Sequence, residues 1–318
     1  MTNSPLQQEL ATRNDQSPPS TPPNDRFHRA LLHNVHPLAW RNPKSMGKYN
    51  LIVIGAGPGG ITAAREAASL GAKVALIERN FIGGDRLNVG CVPSKAIIRT
   101  ARLYAEMRDA DNVGAQVPGS IGIGFQTVME RMRRIQARLS RADSAQRLSE
   151  TGVDVYFGEA RFAGPDTVEV AGDKLRFSKV LIATGARPLT PPIPGLAEVG
   201  YLTNENVFNL TECPRRLLVI GGGPLGCELA QAFCRFGSHV IIAQDDPMFL
   251  PKEERDAAQI LSNSLASDGV EITLTPQWLQ FAKRAQRKLS TSCVPAIDSV
   301  FPSMKSLLAS AGRPMSKA

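Results

Sequence analysis

The 318-residue chain has 37 Lys and Arg residues against 29 Asp and Glu residues, a formal net charge of +8, and 42% of its residues are apolar. Seven of the basic residues but only one acidic residue lie within 277–318, so the rest of the chain is close to neutral. This distribution favours a solvated basic tail over a nucleic-acid-binding arm, and we expect no nucleic-acid partner. The length predicts two domains, or one large domain plus tails, and frequent glycine with few aromatic residues favours an α/β fold.

Cysteine usage and hydropathy bear on the compartment. The five cysteines are an odd, widely scattered set, which does not indicate a disulfide framework and is typical of a reducing cytosol. No apolar run reaches the roughly 18 residues that a membrane-spanning helix needs. The first residues also lack the basic-then-apolar order of a secretory signal. We therefore expect a cytoplasmic protein with no membrane partner.

Residues 1–48 are predicted to be a disordered or lead-in segment. The first half is rich in Pro, Ser, Thr, Asn and Gln, a composition typical of disorder. The second half contains His28, His33 and His36, for which a metal cluster is conceivable. No cysteine or carboxylate spacing supports such a cluster, so a partly ordered strap is favoured and no metal site is predicted.

Order is expected to begin at Tyr49, with a strand–helix–strand unit over residues 51–77. Its first strand leads into Gly55-Ala56-Gly57-Pro58-Gly59-Gly60, and Glu78 ends its second strand. In this context the glycine motif indicates dinucleotide binding. Gly55 allows the tight turn, Gly57 lets the backbone approach a pyrophosphate, and Gly60 lets helix and strand pack closely. Glu78 is the predicted acceptor of hydrogen bonds from a ribose.

The middle of the chain combines helical and strand patterns. Val128, Met132, Ile135 and Leu139 recur at helical spacing, and we interpret the arginine-rich opposite face as solvated. Short runs of β-branched and aromatic residues predict strands. The predicted elements are helices over about 91–107 and 126–148 and strands over 153–157, 168–170, 175–177 and 180–185.

A second strand–helix–strand unit is predicted from residue 217 to residue 242. Its glycine motif contains Gly221, Gly223 and Gly226, and Gln244 occupies the position of the ribose acceptor. Two acidic residues follow Gln244, and the basic residue that usually binds the 2′-phosphate of NADP is not found there. The pattern weakly favours binding of NAD over NADP. Two such units suggest one chain that binds two nucleotides.

Residues 83–95 read Gly-Gly-Asp-Arg-Leu-Asn-Val-Gly-Cys-Val-Pro-Ser-Lys. This segment resembles the redox-active segment of the class I pyridine nucleotide-disulfide oxidoreductases, whose pattern is GG-x-C-x-N-x-G-C-x-P-S-K. Cys91 matches the second cysteine, whereas Arg86 stands at the position of the first. The segment, together with the lead-in around His36 and Trp40, is most similar to the mercuric-reductase-like subgroup.

The resemblance implies FAD and NAD(P)H as cofactors and an α/β chain with two Rossmann-like (three-layer ββα) nucleotide-binding domains. Cys91 is then the flavin-proximal cysteine, and Gly83 and Gly84 belong to the flavin site. Lys95 matches a lysine near the flavin that, in the family, pairs with a glutamate at the place of Glu228. These matches imply catalytic roles for Cys91, Lys95 and Glu228.

One further match lies after the middle strands. Ala183, Thr184 and Gly185 are similar to a turn that approaches the FAD in the family. The ordinary family reaction is implied to pass hydride from NAD(P)H to FAD, then electrons to the disulfide, and then to a small-molecule or metal-ion acceptor. Because arginine forms no disulfide, the disulfide step is expected to be lost here.

The resemblance covers about residues 49–276. It implies the N-terminal part of an FAD-binding domain over 49–190 and an NAD(P)-binding domain over 191–276. Residues 277–318 do not resemble the family's continuation and are interpreted as an atypical basic tail, disordered or frameshifted. The FAD domain is thus expected to be incomplete and truncated, and the interface domain that makes the family homodimeric is expected to be absent.

Two functions remain open from the sequence. One is an FAD-dependent oxidoreductase whose flavin is reduced but passes no electrons to a disulfide. The alternative is a catalytically inactive truncated remnant or dinucleotide-binding module. Flavin colour and its bleaching by NADH distinguish the two.

Overall fold

The computed structural model describes residues 23–45, 47–117, 119, 121–191, 193, 196 and 200–275, with two further strands at 305–308 and 313–314. The chain forms two compact units. The six-stranded unit contains Pro23–Ala96, Met129–Arg187 and the described residues Arg313–Pro314. The four-stranded unit contains Ile97–Val128 and the described residues from Pro188 onward to Gly312.

The sheet of the six-stranded unit has the strand order β3-β2-β1-β6-β5-β4. Strands β3, β2, β1 and β6 are parallel, and β4, β5 and β6 form an antiparallel meander. Strand β2 is buried almost throughout, as expected for a parallel strand covered on both faces. The strands are β1 (Lys48–Ile54), β2 (Val74–Glu78), β3 (Val153–Phe157), β4 (Ala160–Gly164), β5 (Thr167–Val170) and β6 (Asp173–Ile182).

The helices confirm the predicted strand–helix–strand order at the start of this unit. They bury one face of the sheet in a core that includes Ile61, Leu76, Leu87 and Leu148. The opposite face packs Tyr49, Tyr156 and the apolar residues of the meander together. The helices introduced from residue 26 to residue 150 are α1 (Arg26–Val35), α2 (Pro58–Ser69), α3 (Gly84–Asn88), α4 (Cys91–Arg108), α5 (Phe125–Leu139) and α6 (Ala145–Glu150).

The single helix predicted over 126–148 is wrong, because α5 and α6 are separate helices. Ser144 begins α6 in extended backbone and its hydroxyl accepts a hydrogen bond from Arg147 N at 3.1 Å. Such a cap competes with helix continuation. The preceding residue, Asp143, turns its carboxylate toward Arg65 Nη1 at 3.0 Å. Because the helix breaks here, Asp143 lies in a turn, where the helical pattern predicted the interior of one continuous helix.

The meander also differs from its predicted strands. The two strands predicted over 175–177 and 180–185 are one strand, β6, which pairs with β1 from Lys48↔Arg176 to Ile54↔Ile182. Its first half also pairs with β5. The two partners together keep a single strand extended for longer than the local apolar runs indicate.

The four-stranded unit repeats the parallel arrangement with the order β10-β9-β8-β11. The predicted second strand–helix–strand unit is confirmed within it. A separate antiparallel pair of strands, β7 and β12, belongs to the six-stranded unit. The elements are β7 (Ala186–Arg187), β8 (Arg216–Ile220), α7 (Pro224–Arg235), β9 (His239–Gln244), α8 (Arg255–Ser267), β10 (Glu271–Leu274), β11 (Lys305–Leu308) and β12 (Arg313–Pro314).

Strands β11 and β12 fall in the tail predicted to be atypical. Strand β11 pairs in parallel with β8 through Lys305↔Leu217 to Leu308↔Ile220. The rest of the tail from residue 276, like residues 1–22, lies outside the described residues. The domain boundaries at 190 and 276 stay predictions.

An ion-pair cluster joins helices of the four-stranded unit. The Asp268 side chain is 5% exposed and accepts hydrogen bonds from Arg235 Nη2 at 2.8 Å, Arg108 Nη2 at 3.2 Å and Gln231 Nε2 at 2.8 Å. Burial opposes ionisation of this carboxyl, but the hydrogen bonds and charge of Arg235 and Arg108 lower its pKa below the usual value. Asp268 therefore stabilises the folded state in its ionised form.

We expect Asp268→Asn to lower the free energy of unfolding at neutral pH by about 2–3 kcal/mol, less than for a fully enclosed pair because Arg235 retains some solvent. The stabilisation from Asp268 is complete above the unfolded carboxyl pKa of about 4. It is lost as pH falls through the lower folded-state pKa. Urea unfolding of both proteins at several pH values measures this, and an undiminished difference at acid pH would contradict it.

Candidate functional site

The two glycine motifs, residues 55–60 and 221–226, are here called the first loop and the second loop. Two glycines of the first loop are required by close backbone contacts. Gly55 has φ +103°, and a Cβ there would lie 2.3 Å from Ala183 O. A Cβ on Gly60 would lie 1.9 Å from Gly55 O. Gly55 lies where β1 turns into the loop, and Gly60 lies in the first turn of α2. These contacts set the turn and the close approach of α2 to the strand, as the sequence predicted.

Gly57 lies at the open side of the same loop. It is the N-cap residue of α2, no side chain caps the helix, and nothing lies within 4 Å of the Cβ position. Pro58 begins the helix and provides no N–H group. The uncapped first turn directs N–H groups and the positive end of the helix dipole toward this open space. An anion such as a pyrophosphate fits this cradle.

Glu78 orders the loop from the end of β2. Its Oε2 accepts a hydrogen bond from Ala56 N at 2.8 Å, and its Oε1 accepts one from Asn80 N at 2.7 Å. The carboxylate is thus fixed beside the glycine loop at the carboxyl edge of the sheet, where nucleotides bind in such folds. The residues present fit the adenosine diphosphate part of a dinucleotide.

The second loop has the same internal hydrogen bond. Gly222 N donates to Gln244 Oε1 at 2.6 Å, as Ala56 N donates to Glu78 in the first loop. Gly221 has φ +105°, and Gly223 is the N-cap of α7 with no side-chain cap. Gly226 is buried in the first turns of α7. The position that sequence spacing assigned to the ribose acceptor is therefore occupied by an amide with matching geometry.

We expect Glu78→Ala to weaken FAD binding by about 10–100-fold, because one acceptor of charge-assisted hydrogen bonds is worth about 1.5–3 kcal/mol. Glu78→Gln keeps an oxygen for Ala56 N, as Gln244 does for Gly222 N, and serves as the matched control. Equilibrium titration followed by flavin fluorescence measures both. Equal loss in the two variants would show that the charge, and not the acceptor, is what matters.

Residues 83–95 are here called the redox-like segment, and their glycines determine its backbone course. Gly83 and Gly84 have φ +92° and +53°, and a Cβ on Gly84 would lie 2.8 Å from Gly57 Cα. Gly90 lies between α3 and α4, where a Cβ would meet Asp85 O at 2.8 Å. The segment therefore packs directly against the first glycine loop. This places the predicted flavin-site residues Gly83 and Gly84 beside the predicted pyrophosphate site.

Polar side chains hold the same segment in place. Asn88 Nδ2 donates to Ile82 O at 3.1 Å and to Gly84 O at 2.9 Å. Gln136 Nε2, on the buried face of α5, donates to Leu87 O at 3.1 Å and to Asn88 O at 2.9 Å. Gln136 was not identified from the sequence. Its spacing of four residues from the buried Met132 puts its amide on the buried face of α5, and this spacing is the signal that could have indicated it.

Arg86 takes part in an ion-pair cluster. Its Nη2 lies 3.1 Å from Asp143 Oδ2, and Asp143 Oδ1 lies 3.0 Å from Arg65 Nη1. Arg65 also donates to Ala142 O. The Asp143 side chain is 13% exposed, whereas Arg86 is 48% exposed. The residue at the position of the first redox cysteine thus anchors the segment electrostatically, to a carboxylate that the sequence reasoning did not predict.

Cys91 and Lys95 lie in the first turns of α4, and both are exposed. Cys91 is one of four free cysteines among the described residues, with Cys213, Cys227 and Cys234. Glu228 is half-buried in the first turns of α7. Lys95 belongs to the six-stranded unit and Glu228 to the four-stranded unit, so the implied pairing between them stays a prediction.

The turn Ala183-Thr184-Gly185 follows β6 and lies against the first loop. Ala183 N donates to Ile54 O at 2.8 Å, and its carbonyl is the atom that excludes a side chain at Gly55. Gly185 has φ +71° and lies in open space. The structure thus brings together Gly55, the redox-like segment and this turn, all predicted separately to contribute to one site.

Comparison with known proteins identifies the family. A sequence profile described as pyridine nucleotide-disulphide oxidoreductase matches residues 49–304. The chain belongs to the pyridine nucleotide-disulphide oxidoreductases. Membership of this family implies FAD and a pyridine nucleotide as cofactors. The match also extends beyond the residue-276 limit of the resemblance seen in the sequence.

The relatives are disulfide oxidoreductases. A dihydrolipoyl dehydrogenase of Acholeplasma laidlawii is 34% identical over 229 residues, covering 71% of this chain and 68% of the relative. A mercuric reductase of Bacillus cereus is 34% identical over 224 residues, covering 70% and 35%. The chain therefore spans between about a third and two thirds of the length of these curated relatives.

Solved structures agree with this assignment. The HOCl-induced flavoprotein disulfide reductase RclA from Escherichia coli is 31% identical with a TM-score of 0.62, covering 71% of this chain and 49% of that one. Its Cu(II) complex aligns with a TM-score of 0.66 at 28% identity, covering 85% and 58%. The Rossmann-like α/β fold predicted from the sequence is thereby confirmed.

Two features are absent from the part of the chain that the structure describes. No helix there has the length and apolar character to cross a bilayer. Nor do three or more His, Cys, Asp or Glu side chains come together there as a metal site. His36 instead bonds to a backbone carbonyl, Asn80 O.

Proposed function

We propose that this protein is an FAD-dependent oxidoreductase that accepts hydride from NAD(P)H and does not pass electrons to a disulfide of its own. The main support is that Arg86 takes the place of the first redox cysteine. Its Nη2 forms an ion pair with Asp143 Oδ2 at 3.1 Å. When bound, FAD supplies the two-electron chemistry. The residues of the first loop would hold its pyrophosphate and ribose, and those of the second loop would hold the pyridine nucleotide.

The cofactor preference and the site roles belong to the same proposal. Gln244 and the acidic residues Asp245 and Asp246 favour NAD over NADP, because a 2′-phosphate would meet negative charge and no arginine fork. Lys95, paired with Glu228, would place a positive charge near the reduced flavin. Cys91 would lie beside the flavin as a thiol that has no partner cysteine at position 86.

The acceptor would be a small molecule or a metal ion that takes electrons from the flavin without a protein disulfide. The protein would act in the cytoplasm. The domain division is proposed as FAD-binding over 49–190 and NAD(P)-binding over 191–276.

A second candidate is a dinucleotide-binding module without turnover. The observation that favours it is the exposure of apolar side chains on β6, where Leu181 is 37% and Ile182 is 61% exposed. An apolar strand end that is not covered would leave the turn at Ala183 less firmly held. Such a protein would bind a dinucleotide and transfer no hydride.

Anaerobic titration of the purified, FAD-loaded protein with NADH and with NADPH tests the proposal. Bleaching of the flavin absorbance by NADH, at lower concentration than by NADPH, is the expected result. A yellow protein that neither nucleotide bleaches would favour the binding module. A protein that retains no FAD at micromolar concentration would overturn the flavin assignment.

A further inference from the structure

The segment after α1, residues 36–45, is here called the strap; it precedes the family match, which begins at residue 49. The strap is bound to the sheet by side-chain hydrogen bonds. Trp40 Nε1 donates to Val155 O at 3.1 Å, and the Asn42 side chain bonds both the N–H and the C=O of Phe157, at 2.8 Å and 2.9 Å. Strand β3 is an outer strand of the sheet among the described residues, so these side chains satisfy backbone groups that no described strand pairs.

The strap also reaches the residues that follow β2. His36 Nδ1 donates to Asn80 O, and directly before the strap the carbonyl of Val35, the last residue of α1, accepts a hydrogen bond from Ile82 N at 3.0 Å. The His36 ring packs on Phe157, with ring centroids 4.5 Å apart, and edge-on to Phe81 at 5.9 Å. One imidazole therefore contacts both the segment after β2 and the last residue of β3.

These contacts continue into the predicted ribose acceptor. Asn80, whose carbonyl is bound by His36, donates its own N–H to Glu78 Oε1 at 2.7 Å. Glu78 Oε2 accepts from Ala56 N at 2.8 Å, and Glu78 O accepts from Gly158 N at 2.9 Å. A continuous chain of hydrogen bonds thus runs from the strap through Glu78 to the glycine loop.

From this chain of contacts we propose that two residues of the strap, His36 and Asn42, are positioning residues for the adenosine end of FAD. The inference rests on the proposed FAD site in the first glycine loop. Nucleotides in this fold lie beyond the carboxyl ends of the strands, with the ribose at the residue that Glu78 occupies. The strap holds the segment after β2 and the end of β3, which flank that position.

The test uses the full chain and three single variants. His36→Phe keeps a ring against Phe157 and removes the donor to Asn80 O, whereas His36→Asn restores a donor at the place of Nδ1. Trp40→Phe is the matched control, since it removes one hydrogen bond to Val155 O, further from the carboxyl end of β3. Dissociation constants are measured for FAD and for ADP, together with the melting temperature of each apoprotein.

We expect His36→Phe to raise the dissociation constants of FAD and ADP by the same factor, about tenfold. This is the effect expected when one supporting hydrogen bond is lost. His36→Asn should recover most of that loss. Trp40→Phe should lower the melting temperature and leave both dissociation constants within twofold of wild type.

Two results would overturn the inference. One is unchanged FAD and ADP affinity in His36→Phe, with or without a lower melting temperature, which would make the strap a sheet-edge support only. The other is equal weakening in His36→Phe and Trp40→Phe, which would trace the effect to general destabilisation. If the wild-type protein itself binds neither FAD nor ADP, the proposed function falls, and the strap's role falls with it.

Discussion

Gly60→Ala is expected to abolish FAD binding. The added methyl group would lie 1.9 Å from Gly55 O, a backbone atom that cannot rotate away as a flexible side chain would. Relief requires moving α2 away from β1, which opens the loop that would hold the pyrophosphate. We expect a loss of about 3 kcal/mol or more in the free energy of unfolding, at the upper end for overpacking by one methyl group. Urea unfolding and flavin retention on a desalting column measure the two effects.

Gly59→Ala is the control for folding, because it makes the same chemical change one residue earlier on the same helix. Nothing lies within 4 Å of its Cβ position. Alanine is the better helix former, by up to about 1 kcal/mol, so the apoprotein should be as stable as wild type or slightly more stable. Comparable destabilisation of the two variants would show that helix packing at Gly60 is not the cause.

Arg86→Cys is expected to double the number of hydride equivalents that each bound flavin consumes from NADH under anaerobic conditions. A disulfide between positions 86 and 91 would add a second two-electron acceptor to the protein. The fold should tolerate the change, because Arg86 is 48% exposed and Asp143 keeps Arg65 at 3.0 Å. Loss of a partly exposed ion pair costs roughly 1 kcal/mol or less.

The double variant Arg86→Cys, Cys91→Ser provides the control for this prediction. It keeps the loss of the Asp143–Arg86 pair and removes the partner thiol, so its uptake should return to the wild-type value. Thiol titration after air oxidation reports independently whether a disulfide has formed. Two free thiols at 86 and 91, with unchanged NADH uptake, would mean that the segment does not bring the two positions into bonding geometry.

The geometry of the two glycine loops was largely predictable from sequence because its determinants are local. Each motif places its glycines within a single turn and its acceptor at the end of the next strand, so spacing alone fixes their relation. The hydrogen bonds from Ala56 N to Glu78 and from Gly222 N to Gln244 match that expectation. The amide at Gln244 changes the chemistry of the position and not its geometry.

The surroundings of the redox-like segment were not predictable in the same way. Asp143 is 57 residues from Arg86, and helical periodicity assigned it to an uninterrupted helix. Its position depends on the cap at Ser144, a signal too weak to outweigh the apolar repeat on either side. The contacts of Asn42 span 115 residues and involve backbone atoms, so no pattern of side-chain types could indicate them.

The strap has a consequence for the solubility of shortened forms of this protein. Without Trp40 and Asn42, the outer side of β3 would present unpaired N–H and C=O groups at Val155 and Phe157. Such an edge is a template for strand addition by a second chain. A chain that begins at residue 49, where the family match begins, would therefore be prone to intermolecular sheet growth even with its nucleotide loops intact.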